Sequence, residues 1–346
     1  MNFEAVTIKD IASELGISPS AVSRALNGSY DISAKTKKLV KECALKHNYQ
    51  PNRMAQSLKH GFSKSIGIVV PTIDNSFFSQ VINGIEGVAY SKGYNVIITQ
   101  THERYELEVL NLSHLILRAV DGLLISVTTE TQDIGHLKTL NDKGLPIVFF
   151  DRICKEINTH KVIADNFTGA YKATSHLINE GFRKIAHITS SDSISITSER
   201  LKGYQQALLD NNIAIYDQYI KYCPHGGRDI AEIENALNEL LYSPVKPDAI
   251  FTASDRITTA TLRFLNELGF HVPNDVGLLG FSNNPLSDLL NPSLTSIYQP
   301  GYEMGKKATE MLIALIESKR PVFEFETVTL PTQLFIRKSS KVNKDS

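Results

Sequence analysis

From residue 65 onward the chain alternates two kinds of segment, and few folds accept that alternation. Short apolar runs stand at "IGIVV" (66–70), "NVIIT" (95–99), "DGLLIS" (121–126), "PIVFF" (146–150), "KIAHIT" (184–189), "DAIFTA" (248–253) and "DVGLLGF" (275–281). Between them lie stretches of helical periodicity, roughly 77–92, 104–118, 133–143, 168–180, 198–211, 228–241 and 257–268. Short buried strands that alternate with helices predict parallel sheets covered on both faces. One series ends near residue 160 and a second near 290, which predicts two doubly wound lobes. The late segments "LTSIYQP" (294–300) and "FETVTLPTQLF" (325–335) are placed to return and complete both.

A chain of 346 residues suggests two or three domains, and 42% hydrophobic with 21% charged residues is ordinary globular composition. No stretch reaches eighteen apolar residues, and "MNFEAVTIKD" lacks the basic-then-apolar pattern of an export signal. Cys43, Cys154 and Cys223 are too scattered for a disulfide framework or a zinc site. A cytoplasmic protein with reduced thiols, no metal and no cofactor is the expectation. The net charge of −1 hides an asymmetry: the first sixty residues hold nine Lys or Arg against five acids. A basic end on an otherwise acidic chain is a weak footprint of nucleic-acid binding.

That basic end reads as three short helices. Thr7 caps the first, with Asp10 three residues on, and Ile8, Ile11, Ala12 and Leu15 repeat at helical spacing. Gly16 breaks it. Ser18 caps the second helix and Pro19 suits its first position, where the N–H has no intrahelical partner. A third helix starts at Ser33 and is expected to bury Leu39, Val40, Cys43 and Ala44. Two short helices about a glycine turn make a helix-turn-helix. In "SPSAVSRALNG" (18–28), Ala21, Val22, Ala25 and Leu26 share one face, leaving Ser20, Ser23, Arg24 and Asn27 outside. An outer face so small, polar and free of carboxylates fits a major groove about 12 Å wide and lined with phosphates. A small helical bundle with a solvated polar face fits the same pattern.

In "YQPNRMAQSLKH" (49–60), Asn52 is a cap, and Met54, Ala55 and Leu58 form a short apolar stripe. A helix of roughly nine residues is marginal alone and needs something to cover that stripe. A twin segment and DNA would do so, with Leu58 wedged between base pairs in the minor groove. A frayed linker is the other reading.

"VTIKDIASELGIS" (6–18), "AVSRALNG" (21–28), "ISAKT" (32–36) and "YQPNRMAQSL" (49–58) together resemble the N-terminal signature of the lac repressor family of bacterial transcription regulators. The resemblance implies base reading by Pro19, Ser20 and Arg24, and phosphate contacts by Thr7, Ser18, Ser23, Asn27, Ser33 and Thr36. Asn52, Ala55 and Leu58 are carried with the hinge. Pro19 departs from the pattern, because it has no donor and leaves specificity to Ser20 and Arg24. The implied organisation is an all-α helix-turn-helix domain (1–48), a hinge helix and linker (49–64), and an α/β two-lobed, periplasmic-binding-protein-like effector and dimerisation domain (65–346).

Ligands in open α/β sheets lie beyond the carboxyl ends of the strands. Those positions hold Asn75, Phe77 and Phe78, then Ser126, Asp151, Arg152, Arg200, Asp255, Arg256, Phe281, Ser282 and Asn283. Taken singly, an Asp after a strand also serves as a helix cap, and a Phe as core. Jointly they suit a neutral polyhydroxylated or heterocyclic ligand, a sugar or sugar derivative ahead of a nucleobase. "DNSFF", "FFDR", "SERLKGYQQAL" and "PDAIFTASD" resemble the family's effector domain as well. Many members carry two acids where this chain has Ser282 and Asn283, so no relative's effector transfers directly.

No Gly-x-Gly-x-x-Gly, P-loop, His-Glu-x-x-His or Gly-x-Ser-x-Gly motif occurs. An enzyme and a periplasmic solute-binding protein both share the large fold, but neither has use for a basic helix-turn-helix. The expectation is a non-enzymatic regulator. A homodimer binds a near-palindromic double-stranded DNA operator, and a small effector moves the lobes and, through them, the two linkers. "RKSSKVNKDS" at the end carries no leucine heptad, which favours a dimer over a tail-built tetramer.

Overall fold

The computed structural model describes residues 6–49 and 62–341. The chain divides into two compact units between Lys64 and Ser65.

The first unit contains α1 (Ile8–Leu15), α2 (Pro19–Leu26) and α3 (Ala34–Lys46). Its local signals act as the sequence implies. The Thr7 backbone N–H and hydroxyl both donate to Asp10, each at 2.7 Å. Gly16 takes the left-handed conformation, φ 64°, that ends α1. Ser18 and Ser33 accept backbone N–H bonds from Ala21 and Thr36 and so cap α2 and α3. Ile11, Ala12, Val22, Ala25, Val40, Cys43 and Ala44 form the core. Leu39 corrects the sequence reading: it is 47% exposed, because Val40 and Cys43 occupy the inward stripe of α3 and turn Leu39 outward. The hinge residues Asn52, Ala55 and Leu58 lie outside the described residues.

The second unit is two lobes with one winding plan. The first lobe runs β1 (Ser65–Val70), α4 (Ser76–Ser91), β2 (Asn95–Gln100), α5 (Tyr105–Leu117), β3 (Gly122–Ile125), α6 (Gly135–Asp142), β4 (Ile147–Phe150) and β5 (Lys161–Ala164). The second runs α7 (Asn166–Asn179), β6 (Ile185–Ser190), α8 (Ser195–Asp210), β7 (Ile220–Cys223), α9 (Ile230–Leu241), β8 (Ala249–Thr252), α10 (Asp255–Glu267), β9 (Gly277–Phe281) and β10 (Thr295–Tyr298). The chain then returns with α11 (Gly301–Glu317) and β11 (Thr327–Leu330) and crosses again to β12 (Gln333–Phe335).

The sheets are ordered β11-β5-β4-β3-β1-β2 and β12-β10-β9-β8-β6-β7. Every pairing is parallel except β10 with β12. In each sheet the strand order reverses at the first strand of the lobe, β1 or β6, where a doubly wound fold opens its ligand crevice.

Three elements escaped the sequence reading. β5 and β7 are four-residue strands that carry Lys161 and Lys221, so neither shows an apolar run. In α11 the apolar stripe is broken by glycines, because the helix presses directly on α4. A Cβ on Gly84 would run into the Tyr302 carbonyl, and one on Gly305 into the Val81 carbonyl. Overpacking of a tight core costs about 1–3 kcal/mol. Gly305→Ala is therefore expected to lower the urea-unfolding stability of the second unit by at least that much. An unchanged midpoint would mean that α4 and α11 do not meet at this crossing. No helix among the described residues is long and apolar enough to cross a membrane.

Candidate nucleic-acid interface and ligand cleft

The outer face of α2 is exposed as a DNA-reading helix requires. Ser18, Pro19, Ser20, Arg24 and Asn27 are exposed, as are Thr7 and Ser33, while Ser23 and Thr36 are half-buried. Pro19 and Ser20 open α2 with no acid in its first turn. Four of the hydroxyls are already coupled in two pairs, Ser18 with Ser20 at 3.0 Å and Ser33 with Thr36 at 2.9 Å. One carboxylate does reach this face. Asp31, seven residues beyond Arg24 in the following loop, forms an ion pair with the Arg24 guanidinium, whose Nε also donates to the Ser20 carbonyl at 3.4 Å. A hydrogen bond from Ser29 and the Arg24 charge hold the Asp31 carboxyl below its ordinary range.

In the second unit a cavity of about 60 Å³ lies between the lobes, at the carboxyl ends of the strands. Six strand ends supply its wall. Thr72, Asn75 and Phe78 follow β1, Glu103 follows β2 and Arg152 follows β4. Ser190 and, on α8, Arg200 follow β6, Arg228 follows β7, and Ser254 and Arg256 follow β8. The lobes are tied across it. Arg256 pairs with Asp74 at 2.6 Å, and Arg228 donates to the His102 carbonyl. Nearby, Asn283 donates to Gln80 at 2.7 Å, and the Ser193 hydroxyl to the Thr129 carbonyl at 2.8 Å. Ligand pockets usually measure roughly 300–1,000 Å³. The central cavity alone is below that range, but a crevice of about 610 Å³ adjoins it at Arg152, between Thr128 and Thr131 of the first lobe and Ser193 and Ser195 of the second.

Arg200 is the buried centre of this wall, 3% exposed. Its Nε donates to the Asn166 side-chain oxygen at 2.8 Å and its Nη1 to the Ala253 carbonyl. Its guanidinium covers the Phe281 ring, 3.8 Å from the centroid. Phe281 thus stacks on Arg200 and offers no bare face to a ligand. Burial pulls the Arg200 pKa down to about 10, against the favourable charge of Asp151. Asp151 is itself buried in a left-handed backbone conformation, φ 58°, with Oδ1 unpartnered. Burial pushes its carboxyl up, partly offset by Arg152 and Arg200. Asp151 lines an adjoining crevice with Asn166, Ile196 and Glu199, not the central cavity.

The other expected residues are distributed as follows. Asn75 caps α4 by accepting the Phe77 N–H at 2.8 Å. Phe78 reaches the cavity wall, whereas Phe77 packs edge-to-face on it, 5.2 Å between centroids, inside the lobe core. Ser126 is buried with its hydroxyl unpartnered, and is not on the cavity wall. The Ser282 hydroxyl donates to Asp255, and burial raises the Asp255 carboxyl, with that bond and Arg256 opposing. Arg256, expected at the β8 strand end, is on the wall, whereas Glu103 and Arg228 are wall residues outside the expected set. The available signal was the basic residue that ends "CPHGGR", a glycine loop after a strand too short to notice.

Glu103 accepts two bonds from Arg152 Nη1, at 2.9 and 2.7 Å, and one from the Thr129 N–H. Burial alone would raise its carboxyl, but the Arg152 charge and these hydrogen bonds outweigh burial and hold it below the usual range. A depressed carboxylate stabilises the fold above the unfolded pKa of about 4.3, and that contribution is lost as pH falls through the folded value. Glu103→Gln is thus expected to lose about 1–3 kcal/mol at pH 7. Its melting temperature should converge on that of the parent as pH falls below the ordinary carboxylate range and through the depressed folded value. A pH-independent gap between the two would remove the ionic role.

Cys154 and Cys223 are buried and their thiols pushed up to about 12, chiefly by that burial, so neither supplies a thiolate near neutrality.

Known proteins share both halves of this arrangement. Residues 7–52 match the family described as bacterial regulatory proteins, lacI family, and residues 174–340 match the periplasmic binding protein-like domain. The chain is 32% identical to a ribose operon repressor of Halalkalibacterium halodurans, over 98% of each chain. The structure of a transcriptional regulator CelR–cellobiose complex is similar at 27% identity and a TM-score of 0.69, covering 96% of this chain and 99% of that one. The lac repressor dimer bound to operator and the anti-inducer ONPF shares the fold at a TM-score of 0.84 and 24% identity, over 98% of this chain and 100% of that one. With a DNA-reading N-terminal unit, a two-lobed cleft and a repressor relative along nearly its whole length, the chain belongs to the lacI family of bacterial regulatory proteins.

Proposed function

We propose that this regulator binds a near-palindromic operator as a homodimer and senses a sugar or sugar derivative in the inter-lobe cleft. What carries this function is the joining, in one chain, of an exposed recognition helix and a cavity walled by polar side chains from six strand ends. Ser20 and Arg24 read bases. Thr7, Ser18, Ser23, Asn27, Ser33 and Thr36 hold phosphates, and Pro19 contributes shape. Residues 1–48 form the DNA-binding domain and 65–346 the sensor. Residues 49–64 form the hinge, in which Asn52, Ala55 and Leu58 contact DNA. Leu45, 76% exposed near the end of α3, adds apolar surface just before that segment.

The cleft is a sensor rather than an active site. Arg200, Arg152 and Asn75 contact the effector's polar groups, Phe78 its apolar face, and Asp151, Asp255 and Ser282 support them from behind. Opening and closing of the lobes changes the spacing of the two hinges. A second copy would cover the apolar residues at the β2 edge of the first sheet, Ile98, Leu110 and Leu117, which are exposed in one chain. The relative named for a ribose operon and the neighbour holding cellobiose support a carbohydrate ligand.

Selection of operators from random DNA by the full-length protein tests the reading. Two-fold symmetric half-sites about 34–36 Å apart are expected. A sugar panel should contain a member that shifts operator affinity by about 5–150-fold. Enrichment of asymmetric DNA removes the dimeric reading, and indifference to every sugar removes the sugar sensor.

A further inference from the structure

The cavity wall carries more positive charge than a neutral sugar calls for. Four guanidiniums line it, Arg152, Arg200, Arg228 and Arg256, against the single carboxylate of Glu103. Two of the four are neutralised, Arg152 by Glu103 and Arg256 by Asp74. The other two are not. Arg200 is buried, yet its hydrogen bonds go to an amide oxygen and a backbone carbonyl. Arg228 donates to a backbone carbonyl of the opposite lobe. Neither forms an ion pair with a carboxylate within 4.0 Å among the described residues.

Nearby acids act on these charges without bonding to them. Asp74 feels the Arg228 charge, but its Oδ1 accepts from Arg256 and the Thr72 hydroxyl. The buried Asp151 offsets part of the Arg200 charge but makes no hydrogen bond to it, and Asp255 is occupied by the Ser282 hydroxyl. Three helices also begin at the cavity. Asn75 caps α4, Ile196 and Thr197 lie in the first turn of α8, and Ser254 caps α10. Each directs the positive end of its backbone dipole toward the same space.

Carbonyls satisfy an arginine's hydrogens but leave its charge. Charge-assisted, bidentate bonds to carboxylate or phosphate are much stronger. Arg228 stands on a glycine turn, Gly226 and Gly227 at φ 62° and 84°, and holds only a carbonyl to exchange. We propose that the effector is an anionic sugar whose phosphate or carboxylate group is held by Arg228 at the cleft rim and Arg200 at its floor. This rests on the sugar-sensor reading above and replaces the neutral ligand that the sequence suggested.

Calorimetry on the full-length protein tests it, with ribose against ribose 5-phosphate, glucose against glucose 6-phosphate and glucuronate, cellobiose, and inorganic phosphate alone. At least one anionic sugar is expected to bind about tenfold or more tighter than its neutral parent, and to weaken with added salt. Arg228→Gln should reduce that preference to less than about threefold and leave the neutral parent within about twofold, since it removes a charge pair at the rim. A neutral sugar that binds as tightly as its anionic partner overturns the proposal. So does an Arg228→Gln variant that weakens both equally, because Arg228 then only holds the lobes together. Inorganic phosphate that binds as well as any sugar phosphate overturns it too, by showing a site for the free ion. Failure of every sugar, neutral or anionic, fells the sugar-sensor reading itself.

Discussion

Arg200→Ala is expected to abolish effector control while the protein still binds its operator. Arg200 is buried, bonded to Asn166 and the Ala253 carbonyl, and stacked on Phe281. Truncation leaves both oxygens without their partner, at about 1–3 kcal/mol for each buried group left unsatisfied. It also uncovers one face of the Phe281 ring. The melting temperature of the second unit should fall. Effector affinity should fall at least about tenfold, because depriving a buried ligand oxygen of its donor carries a similar cost. Operator affinity without effector should stay within about twofold if the effector is an inducer. If it is a corepressor, effector-dependent DNA binding should vanish. Arg200→Lys separates stability from recognition. It keeps the charge but loses the planar fork and the stacking face, so binding should still drop. A Lys variant that senses effector normally would show that the fork is not what the ligand touches.

How much of this was legible in the sequence depends on how local each cause is. Caps at Thr7, Ser18 and Ser33 act within three residues, and all three form as read. Buried strands announce themselves by apolar runs, so β1, β3, β4, β6, β8 and β9 were visible, and with them the positions of Asn75, Arg152 and Arg200. β7 is an edge strand with polar, partly exposed residues, so it carried no signal, and Arg228 behind it was marked only by the glycine loop it ends. Glu103 follows β2 in a left-handed backbone, φ 64°, beside His102 at 50°, a conformation no propensity for Glu would suggest. The pairing of Arg200 with Phe281 joins residues 81 apart in sequence, and only the sheet brings them together. So the strand ends were readable, but which of their side chains meet in the cavity was not. That is why a neutral ligand looked suitable from a set of residues that included Arg256 but lacked Arg228.

Arg24→Ala is expected to weaken specific operator binding by about 10–100-fold and to relax preference at one base pair in each half-site. Arg24 stands on the exposed face of α2, where its guanidinium is paired with Asp31. The pair is half open to solvent, 51% and 35% exposed, so it is a weak restraint that guanine O6 and N7 can displace. If Arg24 reads a base, Asp31 orients the guanidinium only loosely before contact, and its negative charge opposes phosphates nearby. Asp31→Asn should tighten binding to non-specific DNA and lower the ratio of specific to non-specific affinity, although every base contact remains. The salt dependence distinguishes the two roles open to Arg24. A base contact leaves the slope of affinity against salt nearly unchanged on mutation, whereas removal of a phosphate contact reduces it by about one. Titration of parent, Arg24→Ala and Asp31→Asn against operator and scrambled DNA at several salt concentrations measures all of these quantities. An Arg24→Ala variant that keeps the parent's base preferences and loses affinity equally for both DNAs would place Arg24 on the phosphate backbone. Sequence reading would then fall to Ser20 and to the shape of the groove around Pro19.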